Sequence, residues 1–414
     1  MKEKFIRYLD FVIYWSIILM PFSVACGPAP ANVFIGLMSS HFIIKKIVQR
    51  QGLRRSNTLV LPILGLIAVG FISFINSINL HSSVQGIVKL VKAGLIVVVC
   101  VEEIKDRRHA LRICLSIFAG ATLASFDAFW QMTFGRDFLR GNEPMIYIGS
   151  IKRATAAFSH TNILGVYLSA CIPLCLALSL YYWSRFKKGI ALVLSALCIY
   201  GVYVTFSRGA VLAVLTGIII LAIARRDKLI LGGLVLILLV TPFIMPKRAV
   251  EFMKSVNYNP AVVLFNQDRM SAWRNAANMV KHHPVIGVGV NTFSINYGKY
   301  KLAEHGDQIT GSSFYAHNIY LQMAGETGLL GLSCFIWFLA VFFFLTAAAY
   351  TKTSEPLQRA ILLGLMASVA AFLINGISET SLYYARVSMI FWFLIGFAVA
   401  MANFNKEQKN AACP

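Results

Sequence analysis

The sequence predicts an all-α integral membrane protein of about twelve transmembrane helices, with one large, partly helical loop between the ninth and the tenth. Three observations predict it. The chain of 414 residues is 58% hydrophobic and only 13% charged, too few charges for a surface that faces water throughout. Apolar runs of about 20 residues, the length that crosses a bilayer, recur from one end to the other. Lysine and arginine are sorted between alternate connections, as the positive-inside rule requires of a polytopic chain.

The runs are taken in order. The first, residues 8–26, has no small-residue cleavage site followed by a soluble domain, so it reads as a retained span and not as a signal peptide. The second to fifth cover 29–48, 58–79, 82–101 and 110–133. The sixth to ninth cover 162–183, 189–206, 209–224 and 229–246, the eighth being short. The tenth, 317–349, is long for one crossing, and 358–378 and 386–404 complete the set. No internal repeat divides the chain, so 1–414 reads as a single polytopic membrane domain.

The connections on the side of the N-terminus are all basic: "KKIVQRQGLRR", "KDRRHALR", "SRFKK" and "ARRDK". Of 38 Lys and Arg, 22 fall on that side and 14 on the other, with Lys89 and Lys92 inside a span. Both termini are therefore expected in the cytoplasm. The formal charge of +21 follows from this sorting, and no nucleic-acid partner is expected. The eight cysteines form no C-x-x-C and no framework, and read as small apolar packing residues.

The loop 247–316 is the largest connection. From Gln267 to Lys281 it is amphipathic, with Met270, Trp273, Ala277 and Val280 at helical spacing, and Pro284 with its following glycines ends the pattern. A 70-residue loop of this kind is expected to be partly folded and functional.

Several polar residues are candidates for chemistry. His317 stands where this loop enters the tenth span, as the first residue of "HNIYLQMAGETGLLGL". On a continuous helix Gly328 and Gly331 share its face and Glu326 points away. The glycines then read as a helix packing face and Glu326 as structural. A helix N-terminus disfavours imidazolium, which leaves a ring suited to accept a proton; the other reading of His317 is a residue at a wet interface. Arg208, alone between two apolar runs in "VTFSRGAVL", either snorkels or grips an anionic headgroup with its planar fork. Arg269 and Arg274 are five residues apart, on different faces of the loop helix, so one of them, Arg269, is expected to join Arg208. Lys89 and Lys92 share a face inside the fourth span, where charge marks function unless Asp127 of the fifth span pairs with one of them. Arg153 and Arg274 are further candidates for substrate binding, as is Asn318 beside His317, whereas His160 and Asn162 read as caps of the sixth span. There is no H-E-x-x-H, no D-x-D on the outer loops and no Walker loop, so neither a metal nor another cofactor is expected.

These residues carry a resemblance. "HNIYLQMAGETGLLGL" has the form H-[NSQ]-x9-G-x-x-G and resembles the periplasmic-loop signature of the O-antigen ligase family, within the superfamily of O-antigen ligases and polymerases that act on lipid-linked glycans. "GSIKRATAAFSHTNILGVYL", "SRGA" and "DRMSAWRNAANMVKHHPVIGVGVNTF" resemble that family in order and spacing. One departure is the modest net charge of the loop, where Glu251, Asp268, Glu304 and Asp307 offset half of eight Lys and Arg. The resemblance implies transfer of a glycan from undecaprenyl diphosphate to a sugar of lipid A-core, at the periplasmic face of the bacterial inner membrane. It also implies a catalytic role for His317, Arg208 and Arg269, the residues already singled out. The resulting expectation is a metal-independent, inverting displacement, with histidine as general base and arginines binding the diphosphate. The alternatives are a polymerase, which uses a second lipid-linked glycan as acceptor, and a transporter of the lipid-linked glycan, for which repeats or broken helices in corresponding halves would be expected.

Overall fold

The computed structural model describes residues 1–53, 58–147, 151–233, 254, 257, 267–302 and 315–411, with Tyr147, Ile151 and the last seven of these described by backbone alone. Among them, ten helices are long and apolar enough to cross a membrane. They are α1 (Lys2–Cys26), α2 (Pro28–Gln49), α4 (Leu80–Glu103), α5 (Arg107–Phe134), α6 (Thr161–Tyr181), α7 (Arg185–Tyr203), α8 (Arg208–Arg225), α11 (Ile319–Lys352), α12 (Pro356–Asn375) and α13 (Ala385–Ala411). The third apolar run folds as the shorter α3 (Val60–Ile72), continued by a 3-10 turn over Ser73–Asn76. The expected ninth span, 229–246, lies for the most part outside the described residues. The chain is a multi-pass membrane protein.

Helix ends follow local chemistry. Asn79 starts α4 by accepting from the Ser82 N–H at 2.9 Å, and Asp106 starts α5 by accepting from the His109 N–H at 2.7 Å. Pro356 stands at the first position of α12 behind the capping carboxylate of Glu355. The enclosed centre is α6, almost wholly buried, with α12, α8 and α7 against it, while α13 is enclosed beside α4. The sequence pattern leaves one small surprise, a two-stranded antiparallel hairpin of β1 (Met145–Tyr147) and β2 (Ile151–Arg153) in the connection before α6.

The segment expected as a large loop is helical in its described part, with α9 (Gln267–His282) and α10 (Phe293–Tyr300). Its first helix ends one residue beyond the expected Lys281, and its buried stripe is Ala272, Asn275, Ala276 and Met279, next to the expected Met270, Trp273, Ala277 and Val280. Small residues turn inward because α9 lies directly on α11, where Gly325 meets Met279 and Phe293.

The tenth span is long because it is two helices. α11 is interrupted at Gly328, with φ 68° and ψ −175°. The segment after α9 fills the break: the N–H groups of Val288 and Gly289 donate to the carbonyls of Gly325 and Glu326 at 3.0 and 2.9 Å, and those of Leu329 and Leu330 donate to Pro284 and Val285 at 2.8 and 3.2 Å. Broken backbone inside a membrane bundle persists only where protein satisfies it, and here four reciprocal bonds do so. Gly328 is therefore the site of a close loop approach and not part of a helix packing face, a correction to the sequence expectation. A Cβ there would collide with the Val285 carbonyl.

Candidate functional site

Six elements end at one pole of the bundle: β2, α6, the α7 to α8 turn, α9, the start of α11, and the connection from α12 to α13. Side chains from α6, α9 and the residues before α11 converge on Glu379, a carboxylate that the sequence analysis did not single out. Glu379 lies four residues beyond the end of α12 and is buried, its side chain 3% exposed. Its Oε1 accepts from an Arg269 Nη2 and from Asn162 Nδ2, the latter at 2.5 Å. Its Oε2 stands 3.6 Å from His317 Nδ1, ion-pair distance and just outside hydrogen-bond reach. Burial alone would push this carboxyl up, but His317, Arg269 and, more weakly, His160 outweigh it and hold the carboxyl below its ordinary range.

His317 is placed by its neighbours. It is not the first residue of α11 but stands two positions before it, because Asn318 is the cap: its Oδ1 accepts from the N–H groups of Tyr320 and Leu321 at 2.9 and 3.0 Å. The helical face shared with Gly328 and Gly331 therefore does not exist for this residue. His317 has φ 48°, a conformation that costs about 1–3 kcal/mol in a non-glycine residue. It is held there by Trp273 Nε1 donating to its carbonyl at 3.3 Å and by the anchored cap that follows. The Ile319 N–H donates to Gly376 at 2.8 Å and Asn318 Nδ2 donates to Ile377 at 3.1 Å, which ties the start of α11 to the connection that carries Glu379. The imidazole remains 41% exposed, so one edge faces the carboxylate and the rest faces outward.

Arg153 reaches the cluster indirectly. Its Nε donates to Thr205 at 2.8 Å and its Nη2 to Asn162 Oδ1 at 3.0 Å, so Asn162 links Arg153 to Glu379. His160 caps α6 as expected, its Nδ1 accepting from the Asn162 N–H at 3.1 Å. Burial lowers the readiness of His160 to protonate; Glu379 opposes this, and Arg153, His317 and Arg269 add to it. Arg208 opens α8 and is exposed, and Gly209 beside it is packed on Ser378 and Asn375, with no room for a Cβ. This brings the start of α8 against the residue that precedes Glu379. Arg274 is exposed on α9, on a different face from Arg269.

The two lysines do not join this cluster. Lys89 Nζ donates to Asn291 at 2.8 Å and Lys92 Nζ to Asn32 at 3.2 Å. Asp127 pairs with neither of them and instead accepts from the Phe138 N–H at 2.6 Å, because the turn after α5 folds back over it. Glu326 is buried and structural in kind, accepting from the Asn291 N–H at 2.7 Å and from Gln322 Nε2 at 3.0 Å. Among the described residues no three His, Cys, Asp or Glu converge as a metal-binding group.

The fold and this site define a multi-pass membrane protein with a buried carboxylate that gathers a histidine and an arginine at one pole of a helical bundle. Residues 193–336 match the family Wzy_C, described as O-antigen ligase. The match contains Arg208, Arg269 and His317, and stops short of Glu379. No curated protein matches the chain. One solved structure that resembles it, described as "Structural coordination of polymerization and crosslinking by a peptidoglycan synthase complex", is 14% identical and covers 84% of this chain and 97% of that one. Its TM-score of 0.45 is too low to bear on function.

Proposed function

We propose that the protein is an O-antigen ligase, transferring a glycan from undecaprenyl diphosphate to a sugar hydroxyl of lipid A-core at the periplasmic face of the inner membrane. The observation that carries the reading is the meeting of His317 and Arg269 on one buried carboxylate, beside the start of the helix that bears Arg208, together with a match to the ligase family over a range that contains all three residues.

In this reading the acceptor hydroxyl attacks the anomeric carbon as His317 removes its proton. The new carbon–oxygen bond forms on the face opposite the leaving group, the bond to the diphosphate breaks, and undecaprenyl diphosphate departs with the electron pair, inverting the anomeric centre. Glu379 orients the imidazole through Nδ1, which leaves Nε2 to take the proton. Arg208 and Arg269 meet the diphosphate charge that grows in the transition state. Arg269 has one Nη2 committed to Glu379 and further N–H groups to offer. Asn318 serves the site by fixing the backbone after His317, and Arg153 by holding Asn162. Lys89, Lys92 and Arg274 are left as outer contacts for the lipid-linked donor.

The test is purified protein with a lipid-diphosphate-linked glycan and lipid A-core. A His317→Ala protein that folds is expected to lose about 10²- to 10⁴-fold in transfer rate, and full retention would remove the base assignment. Loss of activity with chelator and its return with magnesium would remove the metal-free route. Gene deletion separates ligase from polymerase. Lipid A-core free of O-antigen supports the ligase, and cores bearing a single repeat unit support the polymerase.

A further inference from the structure

At the pole opposite to Glu379, on the side of the basic connections, α6, α8, α11 and α12 close around a cavity of about 300 Å³. Tyr181, Arg225, Tyr350, Ser354 and Arg359 supply its polar wall, and Leu363 belongs to its apolar wall. Each arginine is folded over a tyrosine: the Arg225 guanidinium carbon lies 4.8 Å from the Tyr181 ring centre, and that of Arg359 lies 5.1 Å from the Tyr350 ring centre. Stacking fixes the plane of each fork. Snorkelling arginines extend away from the bundle; these two are turned back onto it.

The cavity holds unmet hydrogen-bonding capacity. The hydroxyls of Tyr181 and Tyr350 and the Nε of Arg359 are buried and have no hydrogen-bond partner among the described residues, whereas buried polar groups are ordinarily satisfied. The nearby acids are committed elsewhere. Glu355 pairs with Arg107 at 3.2 Å and caps Leu357 and Gln358, and Asp227 accepts from the N–H groups of Leu229 and Ile230.

We propose that this cavity binds a phosphate group, presented as the headgroup of an anionic phospholipid in the leaflet on the N-terminal side. Two guanidinium groups held over tyrosine rings suit phosphate oxygens, the tyrosine hydroxyls add neutral donors, and the apolar wall suits the acyl portion of the lipid. Basic pockets between transmembrane helices on the cytoplasmic side are the usual seats of such headgroups. The site is independent of glycan transfer.

The test is native mass spectrometry of the full chain with phosphatidylglycerol, with phosphatidylcholine, and with inorganic phosphate. Wild type is expected to retain phosphatidylglycerol over phosphatidylcholine, each of Arg225→Gln and Arg359→Gln to weaken that binding about 10-fold, and the exposed control Arg185→Gln to leave it unchanged. Where an arginine variant does not fold, Tyr181→Phe with Tyr350→Phe keeps rings and charges and is expected to weaken binding several-fold. Displacement of the lipid by inorganic phosphate supports phosphate as the recognised group. Phosphate binding without lipid binding keeps the group and overturns the lipid as its source. Equal retention of the two lipids with no phosphate bound, unchanged binding in the variants, or an equal loss in Arg185→Gln overturns the site.

Discussion

Replacing Glu379 by glutamine keeps the size of the side chain and removes the charge that Arg269 and His317 share. A hydrogen bond to a charged group such as that from Arg269 contributes about 1.5–3 kcal/mol, so Glu379→Gln is expected to lower kcat/KM about 10- to 100-fold in the transfer assay. The pH dependence has a definite sign. The folded value of Glu379 lies below its ordinary 4.5, so its contribution to stability is whole above 4.5 and is lost as the pH falls through the folded value. His160 is a base whose folded value lies below its ordinary 6.5. The unfolded chain therefore takes up that proton first, and stability declines as the pH drops below 6.5. Thermal unfolding is expected to show both steps on acidification, and His160→Asn, which retains a capping side chain, to remove the upper one. His317 and Arg208 were conspicuous in the sequence as polar residues at the edges of apolar runs, and Arg269 as a cation near the start of the amphipathic helix. Glu379 was not, because "GISETSLYYAR" is a short polar turn like many others. A single acid beside an outer helix end, in a chain with 17 acids in all, was the one available signal.

Among the elements, α11 departs furthest from its pattern. The hydropathy of "IYLQMAGETGLLGL" continues through Gly328, and periodicity alone cannot reveal a break that another segment's backbone satisfies. The exchange of four backbone bonds with the segment after α9 predicts a sharp contrast between glycines. Gly328→Ala places a Cβ against the Val285 carbonyl at a positive φ, and is expected to destabilise the protein by about 2 kcal/mol or more. Gly36→Ala in α2 meets nothing within 4 Å, and is expected to be neutral or to stabilise by up to about 1 kcal/mol. Thermal unfolding in one detergent checks the pair. The same reasoning explains α9: its bounds were legible from Pro284 and the amphipathic spacing, but which neighbouring stripe turned inward depended on α11 lying beneath it.

For the whole molecule, Arg386 joins distant parts of the chain. It stands at the start of α13, is buried, and donates to Val24 and Ala25 at the end of α1 at 2.6–3.0 Å and to Ala157 at 2.6 Å. Its guanidinium also lies 3.6 Å from the Phe158 ring centre. A cation at the carbonyl end of a helix meets a favourable field, and three carbonyls would lose their donor without it. Arg386→Leu is expected to cost about 3 kcal/mol or more, read as a lower unfolding midpoint of the purified protein. Its partners are 229 to 362 residues away in sequence, so nothing local announces the contact. Membrane orientation is tested separately. A membrane-impermeant thiol reagent applied to intact cells lacking an outer membrane is expected to label a cysteine introduced at Asp268 and to spare one at Lys187, and the reverse would overturn the expected topology.

The sequence by itself determined the class of protein and the approximate extent of most of its spans, and it singled out three side chains as candidates for chemistry. Those properties are local: length of apolar run, sorting of charge, and the presence of a polar residue where burial makes it costly. Tertiary structure alone decided that α11 is broken, that Lys89, Lys92 and Asp127 go separate ways, and that His317 and Arg269 share Glu379. These are pairings between segments far apart in the chain, and a buried charge is defined by what surrounds it, which only the assembled bundle supplies.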